Sequence, residues 1–504
     1  MIKIKSIKFD KNNQNQDEQN RVNPILGGLV LDFCDKNGNP ADTIIIAGEN
    51  GTGKTTILKE IRKIMQYHTD CKNLELKVLC GISYKTISYC GELEQYGTYG
   101  NIPLYNVKEV QCNNDKMIQY SVDFMNETKF NYIYSSTNIN FSPTVKIRQI
   151  KAHNLDNNTN RDDEKEFNEN TAANIKQLFV DITNYDNKII ADKTRENLGK
   201  ITTEEMLQGR MDRFKNAFNF MFDNLEYKGI DTSINESIEI LFEKNGKEIS
   251  IDDLSSGEKQ IVFRGAFLLR DKEALNGAVV LIDEPEISMH PKWQKKILDY
   301  YRELFIDNIS KKQTSQIIIS THSNFVIENA LKLDNCVIIA LQENNQTKTI
   351  RKNDGTFILP SVTAAEINYH VFNIASTDYH IQLFGYLQSV MEYELSKKMG
   401  RKINMNIKKV DSKIKNNKSL LSCKHGVEKD SKHNGCKWVH NYVDNKGNPQ
   451  ITTYYTICCF IRNAIDHPED LPTQTKKEYT EDDLQYSIEI LIELIKLAKL
   501  GSLK

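Results

Sequence analysis

The sequence predicts an α/β protein: a mixed sheet with a parallel core, split by an inserted helical lobe and followed by an all-α C-terminal region. Three observations carry that expectation. Thr43–Ala47, Ala278–Ile282, Gln316–Ser320 and Cys336–Ala340 are short apolar runs of the kind required by strands covered on both faces. Between the first run and the other three, Asn174–Phe179 and Arg213–Phe222 repeat apolar side chains at i, i+3 and i+4, the period of one helix face. After about residue 360 the strand-like runs give way to helical periods and polar loops.

Taken in order, residues 1–150 form a first lobe. There Met1–Phe9 alternates apolar and charged side chains like a strand, Gly28–Phe33 supplies another, and a helix opens near Lys54. Residues 151–235 start polar and become the helical insertion; the acidic run Arg161–Glu166 reads as a solvated loop. Strand and helix alternate again over residues 236–345. Residues 346–504 form the helical C-terminal domain, with the Lys/Asn-rich Lys408–Lys418 separating two helical parts. The aromatic-rich stretches Glu366–Ile374 and His380–Tyr386 read as packing or assembly surface. No solenoid-length repeat or sustained heptad run occurs.

Composition narrows the class. A chain of 504 residues with 39% hydrophobic and 27% charged residues can bury a substantial core. A formal charge of −2 excludes a chain that is basic throughout, while a local basic groove, and with it a nucleic-acid partner, stays open. No run approaches the ~20 apolar residues of a membrane span. The first residues lack the apolar core of a signal peptide, and ten cysteines without a framework spacing fit a reducing compartment. A cytoplasmic protein without membrane contact is expected.

Four motifs carry chemistry. Gly48-Glu49-Asn50-Gly51-Thr52-Gly53-Lys54-Thr55 matches G-x-x-x-x-G-K-[ST], follows an apolar strand and opens a helix at Thr56. Backbone N–H groups of such a loop cradle phosphate oxygens; Lys54 reaches the terminal phosphates and Thr55 offers a hydroxyl to Mg²⁺. Asp283 and Glu284 end the run Ala278–Ile282, which sets two carboxylates at the edge where α/β sheets bind ligands. Asp283 suits the metal and Glu284 suits a general base for water. Leu254-Ser255-Ser256-Gly257-Glu258 opens a helix, either as another anion-binding N-terminus or simply as a Ser255 cap with Glu258 completing the box. His322 follows the apolar run Gln316–Ser320, where a histidine can contact phosphate.

In combination, residues 1–60 and 250–342 resemble the ABC-type P-loop ATPases of the SMC, RecF and overcoming-lysogenization-defect group. The stretch Asp283–Gln294 resembles their bacterial anti-phage branch, including Septu, retron and PARIS ATPases. The resemblance implies ATP and Mg²⁺ as cofactors and a homodimer or higher oligomer. In it, Ser255, Ser256 and Gly257 of one subunit cap the γ-phosphate held by Lys54 and Thr55 of another. Glu284, Lys54 and His322 form the catalytic set. A separate nuclease or toxin is the implied effector. No clean Q-loop is present, with Gln111 and Gln149 as alternatives, and the absence of Asp-x-Asp after residue 342 argues against a TOPRIM nuclease in this chain.

Near the C-terminus, Arg462, Asn463 and His467 resemble the R-x₄-H motif of HEPN domains, many of which are dimeric ribonucleases. Arginine stabilises charge on a phosphate and histidine moves protons near neutral pH; the bland alternative is a polar cluster of Arg462, Asp466 and His467 at a helix end. Cys423, His425, His433, Cys436 and His440 offer either a zinc site or a polar hairpin. Three functions therefore stand open: a sensor or scaffold ATPase controlling a partner effector, an effector ribonuclease in its own right, and a DNA-repair ATPase.

Overall fold

In the computed structural model the described residues are 2–9, 26, 28–66, 74–82, 85–99, 102–110, 117–120, 132–137, 171–196, 209–231, 238–270, 275, 277–307, 310–342, 346–416, 438–443, 448–466 and 479–500. They fall into two compact units, Met1–Lys352 and Asn353–Lys504.

The first unit holds two six-stranded sheets. One is antiparallel, in the order β2 (Val30–Asp32), β1 (Ile2–Phe9), β4 (Leu74–Ile82), β5 (Lys85–Tyr99), β6 (Ile102–Val110), β7 (Met117–Tyr120). The other runs β15 (Thr347–Arg351), β14 (Cys336–Leu341), β3 (Thr43–Gly48), β13 (Gln316–Thr321), β12 (Val279–Asp283), β8 (Tyr132–Ser135). Only the β15 edge of this second sheet is antiparallel. All four apolar runs of the sequence are therefore parallel neighbours, and β3, β12 and β13 are buried along their whole length. Ile44, Ile46, Leu281 and Ile318 share a core with Ile4, Ile7 and Phe9 of the antiparallel sheet and with Ile57, Leu58 and Ile61 of helix α1 (Lys54–Gln66). Each fully covered side chain of this size contributes about 1.5–3 kcal/mol.

A buried glutamine joins the sheets. The β1–β4 register shifts between Ile4 and Ser6. Ile4 N–H donates to Gln316 Oε1 at 2.7 Å, and Gln316 Nε2 donates to the carbonyls of Ile4 (3.0 Å) and Ala41 (2.9 Å). One amide thus satisfies backbone groups that would otherwise be buried unpaired.

The helical insertion gives α2 (Thr171–Glu196) and α3 (Arg210–Met221). Its apolar face does what the periodicity requires: Phe179, Phe214 and Phe218 meet Tyr227 of β9 (Leu225–Asp231) and Phe242 of β10 (Glu239–Lys244), which pairs with β11 (Lys247–Ser250). Helix α4 (Ser256–Leu268) runs beside α2 and α3, and α5 (Pro291–Leu304) packs on α3. A Cβ on Gly265 would lie 1.9 Å from Tyr300 Oη, so only glycine lets α4 and α5 approach this closely. A short helix, α6 (Asn324–Ala330), follows β13.

The second unit is helical, as expected, with one addition. Its helices are α7 (Ala364–Phe372), α8 (Thr377–Met399), α9 (Ile407–Lys415), α10 (Ile457–Asp466) and α11 (Glu481–Lys499). The addition is an antiparallel hairpin of β16 (Trp438–Val443) and β17 (Pro449–Tyr454), whose β-branched and aromatic residues, among them Val439, Val443, Ile451, Thr452 and Thr453, suit a strand better than a helix. Leu383, Leu387, Ile461, Ile488, Leu491 and Ile495 lie at the centre of its core. A capping box opens α11, with Asp483 N–H donating to Thr480 Oγ1 at 3.1 Å and Thr480 N–H to Asp483 Oδ2 at 2.9 Å.

Candidate nucleotide-binding site

Four parallel strands, β3, β8, β12 and β13, deliver their C-terminal residues to one edge of the sheet. At the end of β3 the chain turns through Gly51 (φ +86°) and Gly53 (φ +92°), a left-handed backbone that glycine adopts without strain. Helix α1 begins at Lys54, so its first N–H groups face the loop. Glu49, Asn50 and Gly51 are exposed, whereas Thr52, Gly53, Thr55 and Thr56 are half-buried. Lys54 is buried. Its Nζ donates to the carbonyls of Gly48 and Glu49, each at 2.9 Å, and stands 3.7 Å from Glu284 Oε1. Burial lowers the Lys54 pKa, opposed by Glu284, Glu286 and Asp283. A buried ammonium in a glycine loop at a helix N-terminus fits a polyphosphate, whose oxygens accept from the ammonium and from the loop N–H groups.

The acidic pair faces this loop. Asp283 accepts hydrogen bonds from Thr55 Oγ1 (3.1 Å), Thr137 Oγ1 (2.8 Å) and the Ser320 hydroxyl. The metal-binding candidates Thr55 and Asp283, 228 positions apart in the chain, are therefore direct neighbours, and this oxygen-rich set fits Mg²⁺. Glu284 has φ +41°, a costly backbone for a residue with a Cβ. Its N–H holds the turn by donating to Ser320 O (3.1 Å) and Ser320 Oγ (3.0 Å). The carboxylate then lies 3.7 Å from both Lys54 Nζ and His322 Nδ1.

Several neighbours were not singled out in the sequence. Glu286 is 2% exposed and accepts from Thr321 Oγ1 (2.5 Å) and His322 N–H (2.9 Å), with His322 Nδ1 3.4 Å away. Burial raises its pKa above the ordinary carboxyl value, against those two donors. Its Oε2 is buried without a hydrogen-bond partner among the described residues. Arg264 of α4 is fully buried and donates to the carbonyls of Asp283 (3.3 Å), Ser136 (2.8 Å) and Thr137 (3.5 Å). It fastens the signature helix to the ends of two sheet strands. The repeated Glu-Pro-Glu and an arginine on an otherwise apolar helix were the available signals for these two; Thr137 carried none.

The signature segment is built as a helix start. Ser255 accepts Glu258 N–H at 3.4 Å and Glu258 Oε2 accepts Ser255 N–H at 2.8 Å, closing the box, while Lys244 holds the same carboxylate at 2.8 Å. Ser255 and Ser256 are exposed, and Gly257 faces the Trp293 ring. Among the described residues, no hydrogen bond or ion pair joins Ser255, Ser256 or Gly257 to residues 48–56. Gln111 and Gln149 lie outside the described residues.

In the second unit Arg462 is ion-paired with Asp466 along α10, and its guanidinium lies 5.9 Å from the Phe384 ring centre. Asn463 shares the helix, and His467 lies outside the described residues. So do Cys423, His425, His433 and Cys436; His440, on β16, is buried.

A phosphate loop, an acid-tipped neighbouring strand, a Ser/Gly-opened helix and a strand-end histidine on this sheet define an ABC-type P-loop ATPase domain. The family model described as "AAA domain, putative AbiEii toxin, Type IV TA system" matches residues 97–328, a stretch that starts past the phosphate loop and includes Ser255, Asp283 and His322. The chain is similar to the Retron Vc95 probable ATPase of Vibrio cholerae serotype O1 biovar El Tor, 26% identical over 359 residues, covering 57% of this chain and 66% of that protein. It is also similar to the endonuclease GajA of Bacillus cereus strain HuB5-5, 23% identical over 331 residues, covering 57% of this chain and 43% of that one. The chain thus spans less than two thirds of either relative. Among solved structures, an SMC head bound to the C-winged helix domain of ScpA aligns over 69% of this chain and 97% of its own, at 12% identity and a TM-score of 0.37. The relatives bear out the resemblance to ABC-type ATPases of the anti-phage defence group.

Proposed function

We propose that this chain binds and hydrolyses ATP with Mg²⁺ at sites shared between copies, and that the cycle controls a partner nuclease or toxin. The observation that carries the reading is the meeting of Thr55 with Asp283 beside the buried Lys54, which unites the two halves of a phosphate site. Lys54 and the N–H groups of Gly48–Thr56 hold the phosphates, and Thr55 and Asp283 hold the metal. When bound, Mg²⁺ neutralises phosphate charge and orients the terminal phosphoryl group. Glu284, aimed by its strained turn, takes the proton from the attacking water; His322 contacts the terminal phosphate.

Ser255 and Ser256 are exposed at the start of α4 and make no bond to this loop among the described residues, which suits a helix N-terminus that caps a second copy's phosphates. Nucleotide then favours the closed assembly and hydrolysis releases it. The relatives named an ATPase of a retron and an endonuclease support an effector under ATPase control. Purified wild-type chain is expected to release phosphate from ATP. Glu284→Gln is expected to sediment as a dimer or larger with ATP and Mg²⁺ but not without them. A Glu284→Gln chain of unchanged mass with saturating ATP refutes the shared site, and a wild type that binds no nucleotide refutes the whole reading.

A further inference from the structure

Several cations of this chain are matched by acids. Lys228 sits between Glu226 and Glu243, Lys332 pairs with Glu328, Lys352 with Asp334 and Lys496 with Glu493. One stretch of the second unit collects six cations with no such partner. Lys397 and Lys398 end α8, Arg401 and Lys402 follow it, and Lys408 and Lys409 begin α9. All six are exposed, and their side chains make no ion pair or hydrogen bond among the described residues.

The fold gathers them. Residues 401–406 double back along α8: Ile403 N–H donates to Ser396 Oγ (2.8 Å), Met405 N–H to Glu392 Oε1 (2.7 Å), and Gln388 Nε2 to the Met405 carbonyl (2.8 Å). The buried acid of α9 is committed elsewhere, since Asp411 accepts Tyr455 N–H (2.7 Å), Thr456 N–H (3.0 Å) and Thr456 Oγ1 (2.6 Å). Glu394, one turn before Lys398, is exposed and forms no ion pair with it.

Helix electrostatics accounts for part of this charge but not all. Lysines in the last turn of α8 complement the helix dipole. Lys408 and Lys409 stand in the first turn of α9, where the dipole disfavours cations. In the same unit α7, α8 and α11 open with Glu366, Asp378 and Glu481–Asp483. Two unpaired lysines at the wrong end of a helix, with four more unpaired cations between residues 397 and 402, call for an external anion. Tyr393, 66% exposed, lies one turn before Lys397 on α8 and offers a ring face to an unpaired base.

We propose that the end of α8, the 401–406 return and the first turn of α9 bind the phosphodiester backbone of a single-stranded nucleic acid. The assignment is independent of the nucleotide site. The test is fluorescence anisotropy of the full chain with labelled strands of about 16 nucleotides, as RNA, DNA and duplex DNA, between about 50 and 200 mM salt. Wild type is expected to bind the single strands, with log K falling linearly against log salt. Combined Arg401→Gln, Lys402→Gln, Lys408→Gln and Lys409→Gln should weaken binding at least about tenfold and flatten the slope by about 0.7 for each phosphate no longer neutralised. Tyr393→Ala should weaken single strands more than duplex. Lys54→Ala and the paired control Lys228→Gln with Lys332→Gln should bind as wild type does. The proposal is overturned by a wild type that binds no nucleic acid, by an unaffected quadruple variant, by preference for duplex, or by equal capture on phosphatidylserine vesicles. Preference between the RNA and DNA strands identifies which of the two the surface serves.

Discussion

The two units bury charge for different ends. At the sheet edge of the first unit, Lys54 of α1, Arg264 of α4, Asp283 at the end of β12 and Glu286 in the turn after it are all buried and converge beside an exposed glycine loop. Their arrangement is in conflict with itself: Glu284 holds a left-handed backbone, Lys54 rests on the carbonyls of its own loop, and one oxygen of Glu286 has no partner among the described residues. The second unit buries Asp411, Glu366 and His380, and each is used to pin nearby chain. Asp411 caps the start of α10, and Glu366 Oε1 takes the amides of Ile358 (2.6 Å) and Leu359 (3.1 Å). Burial of a charge alone therefore marks no site. Convergence of opposed charges on a ligand-accessible edge does.

The largest effect should come from the strained acid. Glu284→Gln keeps the size of the side chain and removes its basicity, so phosphate release should fall about 10²–10⁴-fold while nucleotide binding persists. Rapid-quench or phosphate-sensor kinetics decides it. A loss below about tenfold would mean that the conflict at this edge serves binding alone, and the contrast between the units would weaken.

Arg264 sharpens the contrast, because it is buried like the second unit's charges yet lies against the candidate metal residues. Arg264→Met leaves the carbonyls of Asp283 and Ser136 without their donor, which should destabilise the first unit by about 1–3 kcal/mol. Turnover should fall as well, since Asp283 and Thr137 lose their backing. Denaturant midpoints and ATP kinetics read the two effects. A variant with lowered midpoint but normal turnover would make Arg264 purely structural, like Asp411.

How much of this was legible in the sequence follows from range. Segments whose chemistry is local were readable: the loop Gly48–Thr55, the strand ending in Asp283, and the cap at Ser255 each contain their own signal within a few residues. The parallel core was readable too, because burial on both faces forces continuous apolar runs such as Val279–Ile282. Long-range pairings were not. Thr137 reaches Asp283 across 146 positions and Arg264 reaches Ser136 across 128; Thr137 is ordinary where it stands, and Arg264, though out of place in an apolar run, does not name its partner. Glu286 was hidden differently: an acid three residues after Asp283 reads as loop until β13 is seen to cover it. The hairpin β16–β17 escaped because a two-stranded ribbon on a helical unit depends on packing more than on its own pattern.

The smallest effect separates the units by pH. His380 of α8 is buried, with Nε2 2.8 Å from Ser487 Oγ of α11, and burial lowers its pKa from 6.5 to about 3, assisted by Arg462. Its folded-state pKa lies below the unfolded value, so protons favour the unfolded chain. The stabilisation is complete above about pH 6.5 and is lost as pH falls toward 3. Near pH 5.5 the loss should be about 1.3 kcal/mol relative to neutral pH. Hydrogen exchange of α8 and α11 amides at the two pH values, corrected for intrinsic rates, measures it. His380→Gln retains a donor and acceptor but cannot titrate, so its α8 and α11 protection should lose that pH dependence while exchange in β3 and β13 is unchanged. Equal pH dependence in wild type and His380→Gln would place the acid sensitivity of this unit in other groups. Asp411 and Glu366 are not among them, because burial raises their pKa values and acid then favours the folded chain.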